Sequence, residues 1–375
     1  MKSIAIISVQ AFSLINFRGT LIKALVESGV RVYALAPDYN DSLMRQIKIL
    51  GAEPVSINTS RTGMNPVRDT FDMLKLVFVL RKLQPDVTLG YFIKPVIFGT
   101  LAAWLAGVPR RVAMIEGLGY VFTDTGEIES RKRRLLKIGV SWLYQLALFR
   151  AHKVIFLNKD DTNEFVNTGL VDENKVSCLG GIGVDLGEWS ATLPCTEPIT
   201  FLLAARLLRE KGIVQYARAA RLVKTQYPKV RFILLGALDS NPGGLQESDV
   251  KKWVDEGLLE WPGHVPVKPW MEKASVYVLP SYYREGVPRS TQEAMAMGRA
   301  VITTDTPGCR ETVINGVNGF LIPVRDVKEL AASMLYFIES PELIKSMGKE
   351  SRRLAEELFN VHNINIKLLE LIRDK

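Results

Sequence analysis

The sequence is poor in the residues that build disulfide frameworks and metal centres. Its 375 residues hold three cysteines, Cys178, Cys195 and Cys309, scattered, odd in number and without a C-x-x-C. That excludes a disulfide-stapled scaffold and points to a reducing cytosol. Only three histidines are present, which leaves little for a zinc site. No D-x-D follows a strand-like run; the K-D-D at 159–161 lacks the spacing. No Ser/His/Asp or Cys/His set is evident, and no nucleophile for a covalent intermediate stands out. Long apolar runs are missing too. The longest, PVIFGTLAAWLAGVP (95–109), is too short to span a bilayer and is bounded by prolines. The opening MKSIAIISVQAFSLINFRG has one lysine ahead of its apolar run and no small-residue cleavage site. It reads as a first buried strand rather than a signal peptide.

What is present is a globular composition, 47% apolar and 23% charged, in a chain long enough for two domains. The charge is uneven. Residues 1–150 hold 20 Lys and Arg against 11 Asp and Glu, or +9, and the remainder holds 28 against 29. The first half is therefore expected to meet something anionic: nucleic acid, a phospholipid surface or a pyrophosphate.

Short runs rich in branched apolar residues recur at 4–9, 31–38, 52–57, 87–92, 111–117 and 153–158. They read as strands buried on both faces, as in a parallel sheet. Helical spacing fills the gaps in FRGTLIKALVES and TFDMLKLVFVLRKLQ. The second half repeats the plan, with strands at 199–205, 230–236, 258–265, 276–281 and 300–305. The fold class is α/β, two tandem doubly wound Rossmann-like domains with ligands at the carboxyl ends of their strands. The expected domains are 1–190, 191–355 and a C-terminal amphipathic helix over 356–375 that returns to the first domain.

In YYREGVPRSTQEAMAMG, Glu285 and Glu293 stand eight positions apart across a turn that becomes a helix near Arg289. Pro288 suits a helix start. The first-turn amides of Arg289 and Ser290 lack intrahelical acceptors and favour an anion. One carboxylate for each sugar of a nucleotide-sugar, with the diphosphate on the amides between, explains the spacing. An ordinary loop glutamate followed by a solvated helix glutamate is the alternative. A second motif, AARLLREKGI (204–213), puts Arg206 and Lys211 between a strand and a helix. Two cations there suit a diphosphate leaving group, on which charge builds as the glycosidic bond breaks.

Together EGVPRSTQEAMAMGRAVITTDTPGCRETVINGVNGFLIP and ARLLREKGI resemble the retaining glycosyltransferases of family 4, which have the two-domain GT-B fold. SRTGMNP (60–66) and IEGLGYVF (115–122) are similar to a bacterial subgroup. Its members add a sugar, N-acetylgalactosamine among them, to an undecaprenyl-diphosphate-linked saccharide in N-glycan or surface-polysaccharide assembly. The resemblance implies that Glu285 contacts donor-sugar hydroxyls and supports front-face displacement, and that Glu293 binds the nucleotide ribose. It implies that Arg206 and Lys211 hold the diphosphate, with the Arg289 and Ser290 amides, and that backbone around Val265 meets the base. No metal or other cofactor is expected; the nucleotide-sugar, UDP-linked by resemblance, is a substrate. The first loop lacks the glycine pair of many members, and Glu116 stands where they carry an acceptor-side histidine. Glu116 is the candidate for an acceptor-hydroxyl contact or base, or else a carboxylate holding its glycine-rich loop.

ESRKRRLLKIGVSWLYQLALFRAHK (129–153) carries Arg131, Arg133 and Arg134 beside apolar residues and Trp142 at helical spacing. It suits an anionic membrane surface, or a helix packed into the first domain. Arg18 and Lys94 are candidates for the acceptor diphosphate, or surface cations. The expected setting is the cytoplasmic face of the cell membrane, with peripheral attachment. Two other functions share these features. A nucleotide-sugar 2-epimerase keeps the fold and needs no acceptor. A nucleic-acid module would use the basic half, but aromatic stacking platforms are absent around 129–137, so no nucleic-acid partner is expected.

Overall fold

The computed structural model describes residues 1–60, 65–124, 126, 130–239, 241 and 243–373. The motif SRTGMNP therefore lies partly outside the described residues, as does the side chain of Lys132. The chain forms two compact units. One comprises Met1–Val121, Ile128–Ile182 and His362–Lys375; the other comprises Phe122–Glu127 and Gly183–Val361.

In the first unit the order is β1 (Ser3–Ile7), α1 (Ala11–Glu27), β2 (Arg31–Ala36), α2 (Asp41–Ile49), β3 (Glu53–Ser56), α3 (Pro66–Leu83) and β4 (Val87–Tyr91). It continues through α4 (Thr100–Ala106), β5 (Arg110–Ile115), α5 (Arg131–Arg150), β6 (Lys153–Phe156), α6 (Lys159–Asn167) and β7 (Val176–Cys178). The strands pair in the order β3-β2-β1-β4-β5-β6-β7, all parallel. The second unit runs β8 (Thr200–Ala204), α7 (Ile213–Lys224), β9 (Arg231–Leu235), α8 (Glu247–Asp255), β10 (Glu260–Gly263) and α9 (Lys268–Glu272). Then come β11 (Val276–Leu279), α10 (Arg289–Ala296), β12 (Ala300–Thr304), β13 (Gly319–Ile322), α11 (Val327–Glu339) and α12 (Glu342–Leu358). Its sheet, also parallel, has the order β10-β9-β8-β11-β12-β13. These are two doubly wound α/β units.

The strands form where apolar runs are continuous because both sheet faces are covered; β4, β8 and β12 are buried at every position. Helices start where a side chain can take an orphan amide. Asn40, Asn65 and Asn158 accept from Leu43, Arg68 and Asp161, and Asp326 accepts from Lys328 and Glu329. Each expected strand run overlaps an observed strand, with β1 and β5 each starting one residue earlier than expected. Strands β7 and β13 were not expected: V-S-C is too short for a pattern, and G-F-L-I opens on glycine.

The first unit ends at Ile182, ahead of the expected 190. Beyond it the Gly183 amide donates to Gln292 Oε1 at 3.0 Å and the Val184 amide to the Phe359 carbonyl at 2.9 Å. The last helix, α13 (Val361–Arg373), belongs to the first unit from His362 onward. There the Arg110 guanidinium donates to the carbonyls of Ile372 and Leu371 at 2.6 and 3.0 Å, and Asn365 donates to the Thr20 hydroxyl at 3.1 Å.

In each sheet the chain builds outward, then returns to the other side of its first strand. The reversal falls between β1 and β4 and between β8 and β11. Such switch points open a crevice at the strands' carboxyl ends.

The Phe232 ring stacks on Phe201 at 5.3 Å and meets Tyr216 edge-on at 5.7 Å, all three buried in the second unit's core. Phe232→Ala is expected to cost about 3–5 kcal/mol, read as a fall in the denaturant midpoint of that unit. An unchanged midpoint would show that the site collapses around the lost ring.

Candidate active site

The second unit's switch point gathers the charged groups. From the end of β8 the chain passes Arg206 and a single helical turn at Arg209–Lys211. Gly212 follows at φ 77°, and a Cβ there would sit 2.0 Å from the Pro280 carbonyl oxygen. Only glycine lets this loop close on the end of β11. The Glu210 carbonyl fastens the contact, accepting from the amides of Tyr282 and Tyr283 at 2.8 and 3.1 Å and from Ser281 Oγ at 3.2 Å. Lys211 is thereby set against Glu285 as a nearly buried ion pair, with Lys211 Nζ also 5.0 Å from the Tyr283 ring centre. Ser281 Oγ donates to the same Glu285 oxygen at 3.0 Å. Gly308 backs this loop; a Cβ there would lie 2.2 Å from the Gly286 carbonyl oxygen.

Arg206 pairs with Asp239 at 2.9 Å. Burial opposes its charge, but Tyr283, Asp239 and Glu285 together hold its pKa above the ordinary value. Helix α10 begins after Pro288, as the sequence predicts, with Arg289 and Ser290 in its first turn. Ser290 Oγ lies 2.7 Å from the buried Tyr277 hydroxyl, which is 3.0 Å from the Ala204 carbonyl. Burial raises the pKa of Tyr277, and Glu293 and Glu285 each raise it further. Glu293 accepts from Arg289 Nε at 2.8 Å. Burial pushes the Glu293 carboxyl up, and the Arg289 guanidinium offsets only part of that. Val265 sits on the loop following the edge strand β10. The structure thus joins Arg206, Lys211 and Glu285 electrostatically. Sequence reasoning missed Ser281, Asp239 and Tyr277; only the Tyr277 hydroxyl inside the buried run V-Y-V-L hinted at a polar partner.

In the first unit, Arg18 on α1 forms a buried ion pair with Glu116, just past β5. Its guanidinium lies 4.6 Å over the Tyr91 ring and donates to the Phe17 carbonyl at 2.9 Å. The Tyr91 hydroxyl is 2.8 Å from Ser13 Oγ, itself 2.7 Å from Ser8 Oγ. Lys94 is also buried, donating to Asp69 at 2.7 Å and Ser60 at 2.5 Å. Neither Arg18 nor Lys94 is a surface cation, and a phosphate at either would compete with a carboxylate. On α5, Arg131 and Arg134 are exposed. Arg133 turns inward instead, donating to the Tyr120 carbonyl at 3.1 Å with its guanidinium 5.2 Å over the Tyr120 ring. Among the described residues no group of three or more His, Cys, Asp or Glu is disposed to hold a metal. No described helix is long and apolar enough to cross a membrane.

Two doubly wound units, the second carrying a cation–carboxylate site at its switch point, define the GT-B architecture. Solved structures agree. The chain matches sucrose-phosphate synthase from Thermosynechococcus elongatus over 100% of its length and 98% of that chain, at TM-score 0.78 and 18% identity. It matches Anabaena HepE, solved in complex with UDP and glucose, over 99% of both chains at TM-score 0.76 and 17% identity. The chain belongs to the glycosyltransferases: residues 19–180 match Glycosyltransferase Family 4, and residues 189–354 match Glycosyl transferases group 1. Among curated relatives it is 28% identical to the N,N'-diacetylbacillosaminyl-diphospho-undecaprenol alpha-1,3-N-acetylgalactosaminyltransferase of Campylobacter jejuni, over 90% of both chains. It is 25% identical to the UDP-Gal:alpha-D-GlcNAc-diphosphoundecaprenol alpha-1,3-galactosyltransferase of Escherichia coli, over 82% of this chain and 79% of that one.

Two stability outcomes follow from these pairs. Arg18→Met should destabilise by about 3–5 kcal/mol because it strands a buried carboxylate, and adding Glu116→Gln should restore part of the loss. Strictly additive losses would mean the pair is not coupled. Glu293 has a folded pKa above its ordinary 4.5. The folded state therefore binds the extra proton, and stability falls as pH rises through that window. Glu293→Gln should remove this decline, so its melting temperature gains on wild type from pH 4.5 upward. Parallel pH profiles would refute the assignment.

Proposed function

We propose that the protein is a retaining, metal-independent glycosyltransferase. It moves a hexose or N-acetylhexosamine from a UDP-sugar to an undecaprenyl-diphosphate-linked saccharide at the inner face of the cell membrane. The observation that carries the reading is the Lys211–Glu285 pair beside Arg206 at a switch point. The lipid-linked acceptors printed in the names of the two curated relatives support the acceptor class.

In this mechanism the arriving donor opens the ion pair. Lys211 and Arg206 turn to the diphosphate and stabilise the charge that develops as the anomeric C–O bond breaks. The Arg289 and Ser290 amides assist at the start of α10. Glu285, released from Lys211, accepts hydrogen bonds from the sugar hydroxyls and supports the positive charge growing at the anomeric carbon. The acceptor oxygen bonds to that carbon on the face the diphosphate leaves, and its proton passes to the departing diphosphate oxygen. Glu293 takes the ribose hydroxyls, exchanging part of its hold on Arg289, and backbone near Val265 meets the uracil. Glu116, held in place by its ion pair with Arg18, contacts the acceptor hydroxyl. Lys211 and Arg206 supply the positive charge that a metal supplies in other diphosphate sites. Exposed Arg131 and Arg134 on α5, with the exposed Trp142 further along the same helix, support attachment to an anionic membrane.

A panel of nucleotide-sugars with a polyprenyl-diphosphate saccharide tests the reading. Wild type is expected to transfer from a UDP-sugar in the presence of a chelator, with the anomeric configuration kept. Glu285→Gln is expected to fold, with a lowered melting temperature because Lys211 loses its nearly buried counter-charge, and to lose about 100-fold or more in kcat. Normal turnover in that variant would remove Glu285 from the chemistry. Epimerised donor in the absence of acceptor would favour the 2-epimerase instead.

A further inference from the structure

We infer that the first unit docks on an anionic lipid surface through three helices, α3, α4 and α5, with α3 carrying a second apolar foot. The choice of lipid as occupant rests on the lipid-linked acceptor proposed above. The chain crosses from β3 to β4 to β5 to β6 in one direction along the sheet, so right-handed crossovers place α3, α4 and α5 side by side on one face. Side chains tie them into one layer. Arg81 on α3 donates to the Leu105 carbonyl on α4 at 3.1 Å, and the Arg150 guanidinium on α5 lies 4.1 Å over the Trp104 ring on α4.

The outward side of α3 is apolar. Val67, Phe71, Leu74 and Phe78 are 81%, 62%, 44% and 69% exposed and recur at helical spacing, while Leu76, Val77 and Leu80 face the core. On α5 a matching stripe runs through Leu135, Ile138, Trp142, Leu146 and Phe149, and α4 adds Trp104 and Leu105 between them. Contiguous exposed aromatics of this extent mark an interaction site. The charge around them is of one sign. Together α3 and α5 carry ten Lys and Arg against Asp69 and Asp72. Asp69 is buried against Lys94, and Asp72 is only 12% exposed. Lys75 Nζ, 5.1 Å from the Phe71 ring centre, keeps a cation beside the apolar stripe. A second copy would bring the same positive field and be repelled; anionic headgroups over acyl chains complement both features. Helices that follow parallel strands begin at the strands' carboxyl edge. Val67 and Phe71 on α3 and Leu135 on α5 thus stand toward the edge that holds Arg18 and Glu116. A bilayer seated there presents a lipid-borne acceptor to the first unit.

Co-sedimentation of the full chain with phosphatidylglycerol vesicles, against phosphatidylcholine vesicles, tests this. Wild type is expected to pellet with the anionic vesicles and to be released by salt. Phe71→Ser/Phe78→Ser on α3 and Trp142→Ser/Phe149→Ser on α5 should each weaken partitioning about tenfold or more. The α3 variant should keep wild-type melting and wild-type transfer to a water-soluble short-chain acceptor. Single Phe78→Ser serves if the double variant fails to fold. Wild-type pelleting of the α3 variants would overturn the three-helix surface, as would a concentration-dependent dimer that those variants abolish. Intact pelleting without sugar transfer by wild type would sink the functional reading and leave the docking surface standing.

Discussion

The second unit is organised around the contact between Lys211 and Glu285. A cation and a carboxylate, each about one-tenth exposed, meet where two loops leave adjacent strands. Neither would be stable there alone, since a nearly buried charge without its counter-charge is costly. The glycine at 212, the Glu210 carbonyl with its three donors and the glycine at 308 exist to let those loops approach. Such a pair adds little net stability compared with apolar packing. What it does is hold a cation and a carboxylate side by side at the carboxyl ends of the two strands.

The first unit holds a comparable pair near the switch point of its own sheet, one strand further along. Arg18, on the helix after β1, meets Glu116, just past β5, more deeply, over the Tyr91 ring and near a chain of hydroxyls from Tyr91 through Ser13 to Ser8. The burial gradient separates the roles. Arg206, 40% exposed, can turn to a ligand; Arg18, at 2%, is fixed and can act only through Glu116. That is why a basic residue after a first strand and one after an eighth, alike on paper, do different things.

Much of the architecture was legible because parallel sheets covered on both faces leave continuous branched-apolar runs, and glycine and proline punctuate them. The spacing of Glu285 and Glu293 across Pro288, and Arg206 ahead of Lys211-Gly212, placed four site residues at strand ends and one helix start. What stayed hidden were partners. Arg18 finds Glu116, and Lys94 finds Asp69, only because strand order brings distant segments together, and no local pattern encodes that order. Tyr277 and Ser281 were hidden for the opposite reason: in V-Y-V-L-P-S they pass as core and turn. The outward face of α3 was equally silent, since Val67, Phe71, Leu74 and Phe78 share a helix with an inward stripe just as apolar.

These pairings also explain where the first half's excess charge resides. Its buried cations, Arg18 and Lys94, are cancelled by Glu116 and Asp69, acids that would otherwise count against the surface. Removing equal numbers of both signs from the exterior leaves the +9 of residues 1–150 to be shown outside. Much of it falls on α3 and α5, where the described acids are buried or nearly so. Interior neutralisation and exterior polarity are one constraint: each carboxylate spent on positioning a buried cation is one fewer available to screen the basic face. The same residues thus settle both the balance of charge inside the first unit and the sign of charge on its exterior.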